Sequence, residues 1–415
     1  MTRPRYREEA PFKIHGGCGL VGICELEGTR MGAEPAVRAM AVQRERGNGL
    51  GGGFSAYGIY PEYADLFCFH LMYHDERAKQ ETEALLVRDY LVHHAEPIPT
   101  RPAEGIVEPP LLWRYFVDAG HARLETLGLS VEDYVVGTVM HINDAVDGAF
   151  VASSGKNMGA FKGVGYPEEV AHFYRLEEYA GHTWLGHNRF PTNTPGWWGG
   201  AHPFALLDWS VVHNGEISSY GINQRYLAGA GYRCTLGTDT EVVAYLFDLL
   251  ARRHGLPLEL ACAALASPLW SEIDRCPAEE QAVLQALRSV YGPAMLNGPF
   301  AIVVGFNGGM VALNDRVKLR PLVAGRQDSV MVVASEESAL REVLDTPDEV
   351  WAPRAGEPVI VRQTRAAGPD GARTGHAVQA GAPDGSSPAA HTAAGVAPGP
   401  AAVATDATTP AGQVS

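Results

Sequence analysis

The chemistry of this sequence centres on a cysteine near its start. Cys18 follows two glycines and opens a short apolar segment that contains Gly19 and Gly22. A thiol on the first residue of a buried strand, next to glycines, leaves room for a substrate or another backbone to approach. It can equally be an inert core cysteine, because free cysteine is among the most buried residue types. The motif alone leaves both interpretations open.

Three further sites carry side chains suited to binding an amino acid. Arg189 ends an apolar segment and could grip a carboxylate with two parallel hydrogen bonds, or could simply lie on the surface. Asn214 and Gly215 end another apolar segment. Together they offer an amide donor and an unobstructed backbone N–H, which is the equipment of an oxyanion hole, although Asn-Gly also predicts a hairpin turn.

Asp239 is the last of these candidates. It stands with Thr238 directly before a long apolar segment that predicts a helix. Either side chain could cap that helix, since threonine and aspartate both accept hydrogen bonds at a helix start. A carboxylate at this position could instead bind an amino group. The local sequence does not decide between the two.

Composition indicates a globular protein and excludes several partners. The chain has 415 residues, of which 46% are hydrophobic and 20% charged, and its formal net charge is −15. We therefore expect neither nucleic acid nor an anionic membrane surface as a partner. No run reaches the roughly 20 apolar residues of a membrane span, and the charged start does not resemble a secretory signal. The six cysteines show no C-x-x-C spacing, which favours a reducing cytoplasm and no metal or cluster in this chain.

Hydrophobic periodicity and turn residues predict mixed strands and helices. Strands are expected over 18–26, 54–60, 65–73, 183–190, 210–217, 329–334 and 357–362, with hairpins over 148–164 and 300–313. Helices are expected over 34–46, 76–91, 131–141, 167–179, 222–230, 241–253 and 336–344. Strands joined by turns and separated by helical blocks predict an α+β fold with antiparallel sheets.

Two segments stand apart from this pattern. Prolines interrupt the stretch 95–150, which is interpreted as an insertion without an assigned role. Beyond residue 365 the composition changes to Ala, Gly, Pro, Thr and Ser, so 366–415 is expected to be a disordered tail. Residues 1–17 are interpreted as an extension ahead of the first strand.

Taken together and in order, these motifs resemble the class II glutamine amidotransferases, which are N-terminal-nucleophile hydrolases. The resemblance spans about 18–362. The matching segments are Cys18-Gly19-Leu20-Val21-Gly22, Gln43-Arg44-Glu45-Arg46-Gly47, Arg189-Phe190-Pro191-Thr192, His202-Pro203, His213-Asn214-Gly215-Glu216, Thr238-Asp239-Thr240-Glu241, Asp315-Arg316, Arg320-Pro321-Leu322 and Ala334-Ser335-Glu336. Within that family the sequence looks most like the amidotransferase region of glutamate synthase, in the form found as a separate archaeal-type subunit.

The resemblance implies a fold and a role for each site residue. The fold would be a four-layer αββα sandwich with two antiparallel sheets between helices. Cys18 would be the nucleophile, and its own α-amino group would be the base once the leader 1–17 is removed. Asn214 and Gly215 would hold the oxyanion. Arg189, Thr192 and Asp239 would bind L-glutamine, while His202 and Glu216 would brace the loops.

The resemblance also implies a partner. Ammonia would pass to a glutamate synthase flavin subunit, and FMN and an iron–sulfur cluster would belong to that subunit, with no cofactor in this chain. Two alternatives stay open. The chain could be a glutaminase or an amidotransferase serving a different acceptor, or a non-catalytic regulatory subunit that keeps the fold.

Overall fold

The computed structural model describes residues 17–120, 124, 127–191 and 196–364. Apart from Gly17, the predicted leader lies outside the described residues, and so do Thr192 and the predicted tail. The described residues form strands, helices and short 3-10 turns. No helix among these residues is long and apolar enough to cross a bilayer.

The described part of the chain contains eighteen strands. In chain order they are β1 (Gly19–Glu25), β2 (Met31–Gly32), β3 (Gly52–Tyr57), β4 (Phe67–Tyr73), β5 (Leu91–Pro97), β6 (Leu111–Asp118), β7 (Ala149–Ser153), β8 (Met158–Gly163), β9 (Ala180–Gly181), β10 (Thr183–Asn188), β11 (Phe204–Leu206), β12 (Trp209–Gly215), β13 (Phe300–Phe306), β14 (Gly309–Asn314), β15 (Val323–Gln327), β16 (Val330–Ala334), β17 (Glu349–Trp351) and β18 (Val359–Arg362).

Ten α-helices accompany them in the same part of the chain. They are α1 (Glu34–Ala41), α2 (Glu76–Asp89), α3 (Val131–Ala145), α4 (Pro167–Phe173), α5 (Tyr220–Gly229), α6 (Asp239–Phe247), α7 (Leu258–Leu265), α8 (Trp270–Ile273), α9 (Ala278–Tyr291) and α10 (Glu337–Arg341). A helical segment with wider turns, Asp248–Arg253, continues α6.

The strands form two large antiparallel sheets. One has seven strands in the order β17-β15-β16-β1-β10-β3-β8, and the other has five in the order β11-β12-β13-β14-β18. In the seven-stranded sheet β1 is central, with β16 on one side and β10 on the other. The expected α+β fold with antiparallel sheets is confirmed.

Apolar clusters hold these elements together. Between the two large sheets lie side chains such as Leu20 and Leu185 from one sheet and Val212 and Val303 from the other. A Cβ on Gly22 would come within 2.6 Å of the Val303 side chain, so this glycine permits close packing of the sheets. The close approach expected at this glycine is therefore made by the facing sheet, through the Val303 side chain.

The outer face of each large sheet is covered as well. The seven-stranded sheet packs Val21 and Ile23 against apolar side chains of α1, α4 and α10. The five-stranded sheet contributes Val304 to a third cluster with Val243 of α6 and Val139 of α3. Burial of these continuous apolar surfaces is the main stabilising contribution to such a fold.

Besides the two large sheets, the segment 95–150 helps to build a third, which the sequence did not predict. A four-stranded sheet has the order β5-β6-β4-β7, and a two-stranded ribbon pairs β2 with β9. The prolines do not disrupt this segment. They end β5 and occupy the connection 98–110, which leaves the aromatic and β-branched strand β6 free to pair with β4.

The hairpin predicted over 148–164 is also wrong. Its two strands exist, but β7 pairs with β4 in the four-stranded sheet while β8 pairs with β3 in the seven-stranded sheet. The turn between them therefore links two sheets. The hairpin predicted over 300–313 does form, since β13 pairs with β14 around Asn307 and Gly308, where Gly308 has a φ of +89°.

Candidate active site

The position of Cys18 follows from the central strand. Cys18 directly precedes β1, and β1 pairs with β10 so that Gly19 lies opposite Asn188. This register brings the residues after β10 next to the cysteine. The backbone N–H of Phe190 donates to Cys18 Sγ at 3.3 Å. Cys18 as a residue is partly exposed at the start of the strand, although its thiol is enclosed by its surroundings.

The surroundings of the thiol keep it protonated. Burial is the largest influence and raises the pKa of the Cys18 thiol. The Phe190 N–H and the guanidinium groups of Arg189, Arg320 and Arg46 oppose this effect without reversing it. Because the thiolate is the nucleophilic form, a cysteine in this environment needs a base to act at neutral pH.

Strand β12 places Asn214 and Gly215 close to this thiol. The strand continues through Gly215, which pairs with Phe300 of β13, so the alternative of a hairpin turn at Asn214-Gly215 is excluded. Asn214 is 1% exposed, and its Nδ2 donates to Ser335 Oγ at 3.5 Å. Gly215 has a φ of +149°, and a Cβ there would lie 2.0 Å from the Pro299 carbonyl oxygen. Glycine is therefore required at this position.

We expect Gly215→Ala to lower the free energy of unfolding by about 3 kcal/mol or more, from backbone strain and the clash with Pro299. Gly308→Ala is the matched control, since Gly308 also has a positive φ but its Cβ would meet nothing within 4 Å. That control should cost only about 1 kcal/mol. Urea unfolding of both variants measures the difference. Equal losses would show that the contact with Pro299 relaxes.

Helix α6 delivers Asp239. Thr238 is its N-cap, and the Thr238 Oγ1 accepts from the Thr240 N–H at 3.0 Å. The capping role therefore falls to Thr238, and the Asp239 carboxylate is left to accept from the Ile217 N–H at 2.9 Å. Burial acts to raise the pKa of Asp239, but His213 and these hydrogen bonds hold it below its usual value. The carboxylate is thus negatively charged at neutral pH.

One cavity of about 310 Å³ unites these groups. Cys18, Arg189, Gly215 and Asp239 all line it. Arg189 is only 4% exposed, so the alternative of a surface arginine is excluded. Burial lowers its pKa, while Cys18 and Asp239 act in the opposite direction. The volume suits a ligand of amino-acid size, and an anionic and a cationic side chain are both available to it.

Three buried histidines lie beside this cavity. His202 and His213 line it, and His187 stacks on His202 with 3.9 Å between ring centroids. The Thr240 hydroxyl lies 2.8 Å from His202 Nε2 and 3.2 Å from His213 Nδ1. Burial lowers the pKa of His187 to about 3 and that of His202 well below its usual value. His187 and His202 are therefore neutral. His202 contacts the Thr240 hydroxyl, whereas His187 stacks on His202 and lies 2.8 Å from the His213 carbonyl oxygen through its Nε2.

The structure brings most of the predicted site together. Asn214 is the exception within the described residues, because it is 1% exposed and, unlike the adjacent Gly215, does not line the cavity. Thr192 lies outside the described residues. Sequence reasoning missed the Phe190 N–H, Tyr220 and Ser335. Of these, Ser335 and Phe190 each lay in a matched segment, but nothing in the sequence indicated their contacts.

A metal site would need several ligands from residues 17–120, 124, 127–191 and 196–364. These residues contain no group of three or more His, Cys, Asp or Glu side chains placed to hold a metal ion. The histidines beside the cavity are engaged with Thr240, with the His213 carbonyl and with one another. The described residues that line the cavity provide a thiol, hydrogen-bond donors, one guanidinium group and two carboxylates, those of Glu216 and Asp239.

Comparison with known proteins identifies the class. Residues 110–231 match the family model described as glutamine amidotransferases class-II. An uncharacterised protein of Archaeoglobus fulgidus is 51% identical over 355 residues, which covers 85% of this chain and 94% of that protein. This chain and that protein belong to one family, and residues 110–231 of this chain match the class II glutamine amidotransferase domain.

More distant relatives match about half of the chain. A protein of Methanothermobacter thermautotrophicus, provisionally named as a glutamine amidotransferase, is 31% identical over 49% of this chain and 59% of its own length. The glutamine amidotransferase-like protein GlxB of Rhizobium meliloti is 28% identical over 51% of this chain and 60% of its own length. The solved glutamine phosphoribosylpyrophosphate amidotransferase of B. subtilis aligns with a TM-score of 0.41 and 16% identity, over 83% of this chain and 47% of that one.

Proposed function

We propose that this chain hydrolyses L-glutamine to glutamate and ammonia through a glutamyl thioester on Cys18, within a four-layer αββα fold. The observation that carries the proposal is the single cavity in which the Cys18 thiol faces the Arg189 guanidinium, the Asp239 carboxylate and Gly215. Glutamine presents an α-carboxylate, an α-amino group and a side-chain amide. Each of these groups has a complementary partner in the cavity.

The first step needs a base, and removal of residues 1–17 supplies one. An α-amino group has a reference pKa of about 7.7–8.0, so it can accept the thiol proton near neutral pH. While Gly17 is attached, the Cys18 nitrogen is an amide and cannot do this. Burial raises the thiol pKa, which makes a neighbouring base all the more necessary.

The remaining steps follow from the same geometry. The Cys18 sulfur attacks the side-chain amide carbon of glutamine, and the negative charge that develops on oxygen is held by the Gly215 N–H, which lines the cavity. The Asn214 amide, buried directly before Gly215 in β12, is proposed as the second donor. The carbon–nitrogen bond breaks as the amine returns the proton, so ammonia leaves and a thioester remains. Water then attacks the thioester, which releases glutamate and restores the thiol.

The substrate is oriented by opposite charges. Arg189 binds the α-carboxylate of glutamine and Asp239 binds its α-amino group, and Thr192 contributes from the loop that follows Arg189. Charge-assisted hydrogen bonds of this kind are among the stronger ones in proteins. Because Arg189 and Asp239 line the cavity from two different elements, only a ligand that carries both groups engages both residues.

The ammonia passes to a separate partner in this proposal, a flavin-dependent glutamate synthase subunit that carries FMN and an iron–sulfur cluster. Support comes from the Arg189-Phe190-Pro191-Thr192 and His213-Asn214-Gly215-Glu216 segments, which look most like those of glutamate synthases. A different acceptor is the second candidate. It is favoured by relatives such as the amidophosphoribosyltransferase of Methanocaldococcus jannaschii, which is 25% identical over 47% of this chain.

We expect purified protein that begins at Cys18 to release equal amounts of glutamate and ammonia from glutamine, because only that form has the α-amino base. The matched control is the same chain with the leader retained, which should be inactive. Intact mass spectrometry identifies the first residue of each preparation. Full activity in protein that still starts at Met1 would contradict the mechanism. Proteins and cofactors that co-purify from the native host would identify the acceptor.

A further inference from the structure

A single segment after strand β16 contacts both the region of the Cys18 nucleophile and the proposed oxyanion donor Asn214. Ser335 follows Ala334, the last residue of β16, and is 3% exposed. Its backbone N–H donates to the Leu20 carbonyl at 3.1 Å, and the Leu20 N–H donates to Ser335 Oγ at 3.2 Å. Ser335 is therefore fixed to the strand that begins one residue after Cys18.

The same hydroxyl reaches the proposed oxyanion donor. Asn214 Nδ2 donates to Ser335 Oγ at 3.5 Å, whereas Asn214 Oδ1 is buried and has no hydrogen-bond partner among the described residues. A side-chain amide carries two N–H groups. The contact with Ser335 engages one of them and sets the rotation of the amide, so the second N–H is the one that the proposed function assigns to the oxyanion.

The next residue secures the region of the Cys18 nucleophile. The Glu336 carboxylate forms an ion pair with Arg46 Nη1 at 2.5 Å, and Arg46 Nε donates to the Cys18 carbonyl oxygen at 3.0 Å. Two successive residues thus connect to the nucleophile on one side and to Asn214 on the other. Cys18 and Asn214 are far apart in sequence, so their relative placement depends on contacts of this kind.

We propose that Ser335 is a positioning residue, which fixes the orientation of the Asn214 amide relative to Cys18. The proposal rests on the proposed glutamine hydrolysis. Ser335 touches neither substrate nor reacting atoms, and it acts only through Asn214. Its contribution should therefore appear in the chemical step, because the substrate-binding groups Arg189 and Asp239 do not contact it.

The test compares Ser335→Ala, Asn214→Ala and the double variant, all beginning at Cys18. Loss of one oxyanion donor costs roughly a hundredfold or more in kcat, and misplacing that donor should cost about tenfold. We expect Ser335→Ala to lower kcat by about tenfold with KM within about twofold of wild type. In the Asn214→Ala background it should have no further effect, since coupled residues are not additive.

Two further variants separate positioning from folding. Ser289→Ala, which removes an exposed hydroxyl on α9, should leave both constants unchanged. Ser335→Cys keeps a donor and acceptor at this position with only a small increase in volume but weakens the hydrogen bond, so it should lower kcat even if Ser335→Ala unfolds. Unchanged kcat in Ser335→Ala, or an equal loss with and without Asn214, would overturn the proposal. A wild-type protein that begins at Cys18 and does not hydrolyse glutamine would instead refute the proposed function, and this inference with it.

Discussion

Replacing Cys18 by alanine should lower kcat for glutamine hydrolysis by at least about four orders of magnitude, since removing a catalytic nucleophile eliminates the covalent route. The fold should be retained. Cys18 is only half-buried, it precedes β1, and the contacts that fix this region involve its backbone, through Arg46 Nε and the Cys18 carbonyl. Ammonia release and thermal unfolding, measured on protein that begins at residue 18, test both parts.

A second cysteine provides the control for this result. Cys276 is also partly exposed but belongs to the segment between α8 and α9, away from the residues that line the cavity. Cys276→Ala should keep full activity, which separates loss of the nucleophile from loss of any accessible thiol. Substantial glutamine turnover by Cys18→Ala would exclude Cys18 as the nucleophile.

The large sheets could be predicted from local pattern. β1, β10, β12 and the β13–β14 hairpin are short apolar segments with clear turn residues, so their existence follows from composition and spacing. Pairing of distant strands is not a local property. The two strands over 148–164 have a hairpin-like spacing, yet β7 and β8 join different sheets because each finds a longer apolar partner elsewhere.

The third sheet could not be predicted from local sequence either, because here local signals argued against a sheet that does form. The prolines of 97–110 suggested an irregular insertion, because proline is excluded from the middle of a sheet. They lie at a strand end and in a connection, and the strand after them, β6, pairs along its length with both β4 and β5. Local breakers mark where a strand stops, but they do not indicate what the flanking residues pair with.

The candidate site was predictable to the extent that its residue types were chemically distinctive. A thiol, a guanidinium and a carboxylate could be proposed from sequence, and the cavity that unites Cys18, Arg189 and Asp239 supports grouping them. Ser335 could not be found in this way. A serine hydroxyl after an apolar strand has no distinctive signature, and its contacts with Leu20 and Asn214 depend on strand pairing across the whole chain.

The second large effect concerns substrate recognition. Asp239→Asn should lower kcat/KM for glutamine by about ten- to a hundredfold, because a hydrogen bond to a charged group contributes about 1.5–3 kcal/mol. Asparagine has the same shape and can still accept from the Ile217 N–H, which Asp239 does at 2.9 Å. The change therefore removes the negative charge while it preserves the local contact.

An analogue without the α-amino group makes this prediction specific. Glutaramate keeps the side-chain amide and the carboxylate of glutamine but has no ammonium group for Asp239 to bind. Wild-type protein should prefer glutamine to glutaramate, and Asp239→Asn should lose most of that preference, with little change in kcat/KM for glutaramate. Steady-state kinetics with both substrates measure the two ratios.

Glu216→Gln supplies the matched control, because Glu216 lines the same cavity and the substitution removes the same charge. Glu216→Gln should preserve the preference for glutamine over glutaramate. If the effect of Asp239→Asn came only from a general change in cavity charge, both variants would lose that preference alike. If Asp239→Asn lowered kcat/KM equally for the two substrates, the carboxylate would be acting on the fold of the wall, through Ile217 and His213, and the recognition of the α-amino group would have to lie elsewhere. The ratio of the two substrates thus distinguishes a charge that binds glutamine from one that only holds the cavity together.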